Sequence, residues 1–190
     1  MEKYQNITNF HRTIVGVMGS GKDEYEQLTS PLGKWLGEQG YNLLTGGGQG
    51  VMAAVSKAFA SVSKRKGIII GIIPADRLYE EVNRKNFRVK SGYPNIWVDI
   101  PIFTHLPLGG VQGKENLSRN HINILTSEII IALPGGEGTL SEIELSLEYK
   151  KPLLIFDPYS KLPDFSKEGA MHCHNFEEVI SIFKFYPAIN

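Results

Sequence analysis

Three stretches of this sequence are close to unbroken apolar runs: IIIGII at 68–73, EIIIAL at 128–133 and PLLIF at 152–156. A strand with one face in water alternates apolar and polar side chains. A strand that is apolar throughout is buried on both faces, as in a parallel sheet covered by helices on either side. The runs are too short for helices and end at Gly, Pro or polar residues. Longer segments elsewhere in the chain carry helical spacing, as in Leu28, Leu32, Trp35 and Leu36. The pattern predicts strands over about 13–18, 41–45, 67–73, 95–100, 128–133 and 152–156. Helices are predicted over about 24–39, 51–62, 115–126, 139–149 and 175–185, with Gly40 placed to end the first. The expected fold class is α/β: a doubly wound, Rossmann-like parallel sheet with helices on both faces, in a single domain over 1–190. Two segments fit no regular element. The charged stretch 76–94 reads as a solvated connection. The Pro/Gly-rich stretch 101–114 reads as a lid or a connector on the carboxyl edge of the sheet, where such folds bind ligands.

Charge and cysteine content narrow the function classes. Twenty basic and twenty acidic residues cancel, which argues against a nucleic-acid track or an anionic membrane surface. Cys173 is the only cysteine, so no internal disulfide is possible and a reducing compartment is expected. The N-terminal stretch lacks the apolar core of a signal peptide, and no apolar run is long enough to span a bilayer. A cytoplasmic protein is the expectation.

Glycine is clustered: Gly19-Ser20-Gly21, Gly46-Gly47-Gly48 and Gly135-Gly136-Glu137-Gly138 each follow a predicted strand. Any one of these is explained by a tight turn. Three on one sheet edge predict a site where backbone amides and a helix N-terminus, carrying roughly half a positive charge, approach a phosphate. The first cluster nearly spells a P-loop, with Gly16, Gly21 and Lys22 in register, but Asp23 stands where a magnesium-binding hydroxyl belongs. Leu153 to Asp157 offers a weak Walker B strand to go with it. None of the clusters contains the dinucleotide pattern Gly-x-Gly-x-x-Gly. The third cluster, within PGGEGTLSE at 134–142, is the better phosphate cradle. Pro134 closes a strand, the glycines leave a bare turn, Thr139 falls at the helix start, and Glu142 lies one turn further on. The competing reading is a capping box, Thr-x-x-Glu, that only stabilises the helix.

PGGEGTLSE resembles the PGGxGTxxE motif of the LOG ("lonely guy") proteins, phosphoribohydrolases that activate cytokinins. TGGGQGVMAAVSKA at 45–58 is similar to that family's second glycine segment, and GIIIGIIP at 67–74 to its third strand. The resemblance runs from about residue 13 to 157. It implies binding of a nucleoside 5′-monophosphate and hydrolysis of its N-glycosidic bond, without metal or redox cofactor, by a homodimer. It assigns catalysis to Glu142 and to Arg119, fifteen residues before Pro134. Phosphate or nucleotide binding falls to Gly19, Ser20, Gly46, Gly47, Gly48, Asn120, Gly135, Gly136, Gly138 and Thr139. Where the family carries Met-His-x-Arg-Lys, this chain reads Asn116-Leu117-Ser118-Arg119-Asn120. That segment is more similar to a neighbouring branch that includes molybdenum-cofactor carriers, which implies a non-catalytic binder of a nucleotide or a pterin cofactor. In the enzyme reading, Glu142 stabilises oxocarbenium character on the ribose or orients water, and Arg119 holds base or phosphate as a two-pronged donor.

Other polar residues carry plainer expectations. Met171-His172-Cys173-His174 reads as a surface loop rather than a zinc site. His121 is expected to pack against its helix, His105 to lie in the lid, and Lys22 and Asp23 to edge the site.

Overall fold

The computed structural model describes residues 12–76 and 88–185, so part of the 76–94 connection lies outside the described residues. Among the described residues, seven strands form one parallel sheet in the order β4-β3-β2-β1-β5-β6-β7. They are β1 Ile14–Met18, β2 Asn42–Thr45, β3 Ile69–Ile73, β4 Ile100–Phe103, β5 Ile129–Ala132, β6 Leu153–Phe156 and β7 Met171–Cys173. The chain builds outward from β1 through β4, then returns across β1 to add β5, β6 and β7. The winding therefore reverses between β1 and β5, where Val15 pairs with Leu43 on one side and Ile129 on the other.

Helices α1 Glu26–Gln39, α2 Val51–Ala60 and α5 Phe176–Phe185 cover one face of the sheet; α3 Asn120–Thr126 and α4 Glu137–Glu148 cover the other. The apolar runs divide between the faces residue by residue. Ile129 and Ile131 pack with Leu32, Val55 and Phe59, while Ile130 and Ala132 pack with Ile124 and Ile143. Each isoleucine, leucine, valine or phenylalanine among them, fully buried, stabilises the fold by about 1.5–3 kcal/mol relative to an exposed one. Gly40 ends α1 in the left-handed region (φ 81°), with the Gly40 and Tyr41 amides returning to the Gly37 and Leu36 carbonyls.

Three elements differ from expectation. The spacing predicts a strand over 95–100, but β4 begins at Ile100. Asn95 explains the shift: its amide and Nδ2 donate to the Gly47 and Gly48 carbonyls at 2.7 and 2.9 Å, and its Oδ1 accepts from the Trp97 amide at 3.1 Å. Such an Asx turn competes with strand geometry. β4 instead takes Ile100 to Phe103 out of the expected loop, and Pro101 is tolerated because the strand is at the edge. Helix α3 starts at Asn120 rather than near 115, because a 3₁₀ turn at Gly110–Gln112 and the Ser118 hydroxyl, which accepts from the Asn120 amide at 3.1 Å, shape what precedes it. Finally, Met171-His172-Cys173 is a strand, not a surface loop: pairing with β6 buries Cys173. Burial pushes its thiol up to about 11. Among the described residues, no helix is long and apolar enough to cross a membrane.

Candidate functional site

The corners after β1 and β5 meet at the point where the winding reverses. The Ser20 amide donates to the Pro134 carbonyl at 3.0 Å, joining them. Over that joint opens a cleft of about 620 Å³, lined by both corners, by Gly46, by Arg119 and Asn120 at the start of α3, and by Glu142 on α4. Arg119 and Glu142 come from different elements and are each only 9 % exposed.

The three glycine corners serve different ends. At the third, Gly136 is the N-cap of α4 and has no side-chain cap; Gly136, Gly138 and Thr139 face the cleft. The first-turn amides of Glu137 and Gly138 have no carbonyl one turn behind them, as at any helix start. Gly135 lies outside the lining, and a Cβ there would sit 2.1 Å from Thr139 Oγ1 and 2.9 Å from the Ser20 nitrogen. Thr139 is the third residue of the helix, so the capping box is not formed.

At the second corner only Gly46 lines the cleft. Gly47 (φ 72°) is pressed on β3, where a Cβ would lie 2.4 Å from Ile73 Cδ1. Gly48 lies against the ring of Tyr93, where a Cβ would sit 2.7 Å from the nearest ring carbons. The first amide of α2, that of Val51, donates to the Ser20 carbonyl at 2.9 Å. The α2 terminus is thus closed by protein, and α4 presents the helix start that faces the cleft.

The first corner is not a P-loop. The Ser20 hydroxyl accepts from the Lys22 and Asp23 amides at 3.1 and 2.9 Å and donates to the Asp23 carboxylate at 3.1 Å. Helix α1 begins only at Glu26, after a left-handed Tyr25 (φ 42°), so Lys22 does not open a helix as that motif requires. Asp157, in the Walker B position, accepts from the Tyr159, Lys161 and Leu162 amides and shapes the turn after β6.

Arg119 stands at the N-cap of α3 with its guanidinium against the carboxyl ends of β2 and β3. Its Nη1 donates to the Gly46 and Ile72 carbonyls, and its Nη2 to the Tyr93 hydroxyl at 3.4 Å. The guanidinium carbon lies 5.1 Å from the centre of the Tyr93 ring. This differs from the two-pronged ligand grip expected from sequence: one prong is held by main-chain oxygens. Burial lowers the proton affinity of Arg119, and Tyr93 and Glu142 oppose that shift; the group remains a cation at neutral pH. Asn120 Nδ2, in the cleft wall, is buried with no hydrogen-bond partner among the described residues.

Glu142 accepts from Asn123 Nδ2 at 2.9 Å. Burial raises its carboxyl to about 7, against the Asn123 hydrogen bond and the Arg119 charge. A carboxyl with a raised folded-state value binds more protons folded than unfolded between about pH 4.5 and 7. Its contribution to stability therefore falls as pH rises through that window, and the full penalty stands above it. Glu142→Gln keeps an acceptor for Asn123 and removes the charge. The variant is expected to match wild type near pH 4.5 and to exceed it at pH 8 by up to about 3 kcal/mol. Thermal unfolding of both proteins across that range checks this; a stability difference independent of pH overturns it.

Tyr93, Lys90 and Asn123 are functional candidates that the sequence does not single out. Tyr93 and Lys90 line the cleft from the segment read as a solvated connection, where no periodic signal marks them. Asn123 does carry a signal: with Asn120 it places two amides three residues apart on the buried side of α3. His121 packs as expected, with Nδ1 2.7 Å from the Tyr149 hydroxyl, and His105 lies outside the cleft lining. Among the described residues, no group of three or more His, Cys, Asp or Glu side chains is placed to hold a metal ion.

Comparison with known proteins finds relatives that share the fold and the sequence. The molybdenum cofactor binding protein from the phototrophic bacterium Rippkaea orientalis superposes with a TM-score of 0.67 at 29 % identity, over 92 % of this chain and 96 % of its own. The Moco carrier protein from Chlamydomonas reinhardtii gives 0.67 at 28 % identity, over 92 % and 96 %. The cytokinin riboside 5′-monophosphate phosphoribohydrolase LOG of Oryza sativa subsp. japonica is 30 % identical over 176 residues, which cover 84 % of this chain and 62 % of the rice protein. The sequence profile of the SLOG cluster4 family matches residues 12–181. With the match running through every strand of the sheet and both corners of the cleft, the chain belongs to the SLOG cluster4 family.

Proposed function

We propose that the cleft binds a nucleoside 5′-monophosphate and that Glu142 promotes hydrolysis of its N-glycosidic bond to free base and ribose 5-phosphate. The observation that carries this reading is that Arg119 and Glu142 share one cleft with the open first turn of α4. The phosphate sits against the amides of that turn, within reach of the Lys22 and Lys90 side chains that line the cleft. This anchors the remote end of the ligand and lets binding energy position the sugar. As the C1′–N bond breaks, its electron pair leaves with the base and positive charge develops on the sugar, which an ionised Glu142 stabilises. Water adds at C1′ and gives up one proton, matching the one the departing base takes up. Burial raises the Glu142 carboxyl to about 7, so the ionised form gains population as pH rises through neutrality. By the family resemblance, the working assembly is a homodimer.

Incubation of the purified protein with AMP and with cytokinin riboside monophosphates, followed by chromatography, is expected to show free base. If no base is released from any of these substrates, the hydrolase reading is overturned.

One observation favours a second reading. The Nη1 donors of Arg119 are held by the Gly46 and Ile72 carbonyls, so less of the guanidinium is open to a reacting ligand. That suits a carrier of a nucleotide or a pterin cofactor, by analogy with the molybdenum cofactor binding protein and the Moco carrier that share the fold. Mass spectrometry of material released on denaturing the purified protein discriminates: a bound pterin or an intact nucleotide favours the carrier, and free base or ribose 5-phosphate favours the hydrolase.

A further inference from the structure

Tyr93 belongs to none of the glycine corners and is neither the acid nor the cation of the cleft, yet it touches Gly48 and Arg119. The segment carrying it is fastened to the second corner: the Asn95 amide and Nδ2 donate to the Gly47 and Gly48 carbonyls, and Gln49 Nε2 donates to the Gly92 carbonyl at 2.8 Å. A Cβ built on Gly48 would lie 2.7 Å from Cε1 and Cζ of the Tyr93 ring and 2.8 Å from its hydroxyl oxygen, so this position requires glycine for the ring to lie where it does. The ring then meets the Arg119 guanidinium at 5.1 Å, within cation–π range. It also borders both the main cleft and a second cavity of about 520 Å³ lined by Pro94 and Trp97.

We propose that Tyr93 is the positioning residue for Arg119: wedged on Gly48, its ring holds the guanidinium against the Gly46 and Ile72 carbonyls, so that the charge of Arg119 faces the ligand from a fixed place. Gly48 thus acts on the site through Tyr93 and not by offering an amide to phosphate. The ligand class rests on the nucleotide reading above; the position of Arg119 does not. The hydroxyl contact, at 3.4 Å, is long for a hydrogen bond, so the ring face is the larger part of the interaction.

The test uses four full-length variants. Tyr93→Phe keeps the aromatic face; Tyr93→Leu fills the space without it; Gly48→Ala moves the ring without deleting it; Arg119→Lys assigns the guanidinium signal by its disappearance. The first readout is the Arg119 Nε–H resonance in nitrogen–proton spectra of the ligand-free protein. Wild type and Tyr93→Phe are expected to share its ring-shifted, exchange-protected position, which Tyr93→Leu and Gly48→Ala lose. The second readout is AMP affinity by calorimetry. Tyr93→Phe is expected to stay within about threefold of wild type, and Tyr93→Leu and Gly48→Ala to weaken about tenfold or more. An Arg119 resonance unmoved in both Tyr93→Leu and Gly48→Ala, or one that Phe fails to preserve, overturns the proposal. If the resonance behaves as expected but wild type binds no AMP, the placement of Arg119 stands and the nucleotide reading falls. Dispersed amide spectra confirm folding of each variant. Should Gly48→Ala not fold, the Phe and Leu pair still decides the outcome.

Discussion

Glu142→Gln is expected to lower base release from nucleoside monophosphate by about 10²–10⁴-fold, the usual contribution of a placed acid–base or charge-stabilising group. Gln is close to isosteric and keeps an oxygen for Asn123 Nδ2, so the cleft stays open and the α4 start is untouched. AMP affinity should therefore fall much less than turnover, since the phosphate is held one turn away. The same variant is the one expected to gain stability at pH 8, because burial of a charge is what raises the Glu142 carboxyl to about 7. A single substitution that stabilises the fold and abolishes turnover identifies a group kept at a cost for its chemistry. In wild type, the rate should climb as pH rises through about 7, because the ionised form stabilises positive charge on the sugar. Single-turnover release of base from pH 5.5 to 8.5, a range of about 1.5 units on either side of that value, measures both effects. Equal rates in the Glu142→Gln variant and in wild type exclude Glu142 from the reaction.

The second large effect lies at Gly50, which no reading of function points to. Gly50 is the N-cap of α2, with φ 63° and ψ −133°, a conformation essentially restricted to glycine. The turn after β1 lies directly on it: a Cβ would sit 2.4 Å from the Ser20 carbonyl oxygen, 2.7 Å from the Lys22 nitrogen and 2.8 Å from the Gly21 carbonyl carbon. All three are main-chain atoms, so no side chain can swing aside. Gly50→Ala combines a forbidden dihedral with backbone overlap and is expected to cost roughly 3–5 kcal/mol. That corresponds to a drop in melting temperature of roughly 10 °C for a chain of this size. Because the strain falls on Ser20 to Lys22, nucleotide affinity should weaken in any fraction that stays folded. Denaturant unfolding measures the loss. A change below about 1 kcal/mol would mean that the two corners are not in contact as described.

The glycine clusters show how far local sequence carries. They are legible as corners on the carboxyl edge, because each follows a run whose apolar character marks a buried strand. What each corner is for is not legible. A glycine records the absence of a side chain but not which neighbour needs the room. The third corner is an open helix start. The second accommodates Ile73 and Tyr93 at Gly47 and Gly48, and the Arg119 guanidinium at Gly46. Asn95 turns a predicted strand into an Asx turn through carbonyls of residues 47 and 48, distant in the chain. Likewise, MHC at 171–173 carries too few residues to announce a strand; pairing with β6 makes it one.

By itself, the sequence determined the layered α/β architecture, the parallel sheet and the corner that opens α4, because burial on two faces and helix initiation are written within a few consecutive residues. Only the tertiary structure decided where the charge of Arg119 is anchored, that Tyr93 closes over it, and that Glu142 titrates near neutrality. Each of those depends on contacts between residues 19 to 73 positions apart, and on the exclusion of water that such contacts produce. No local pattern specifies them.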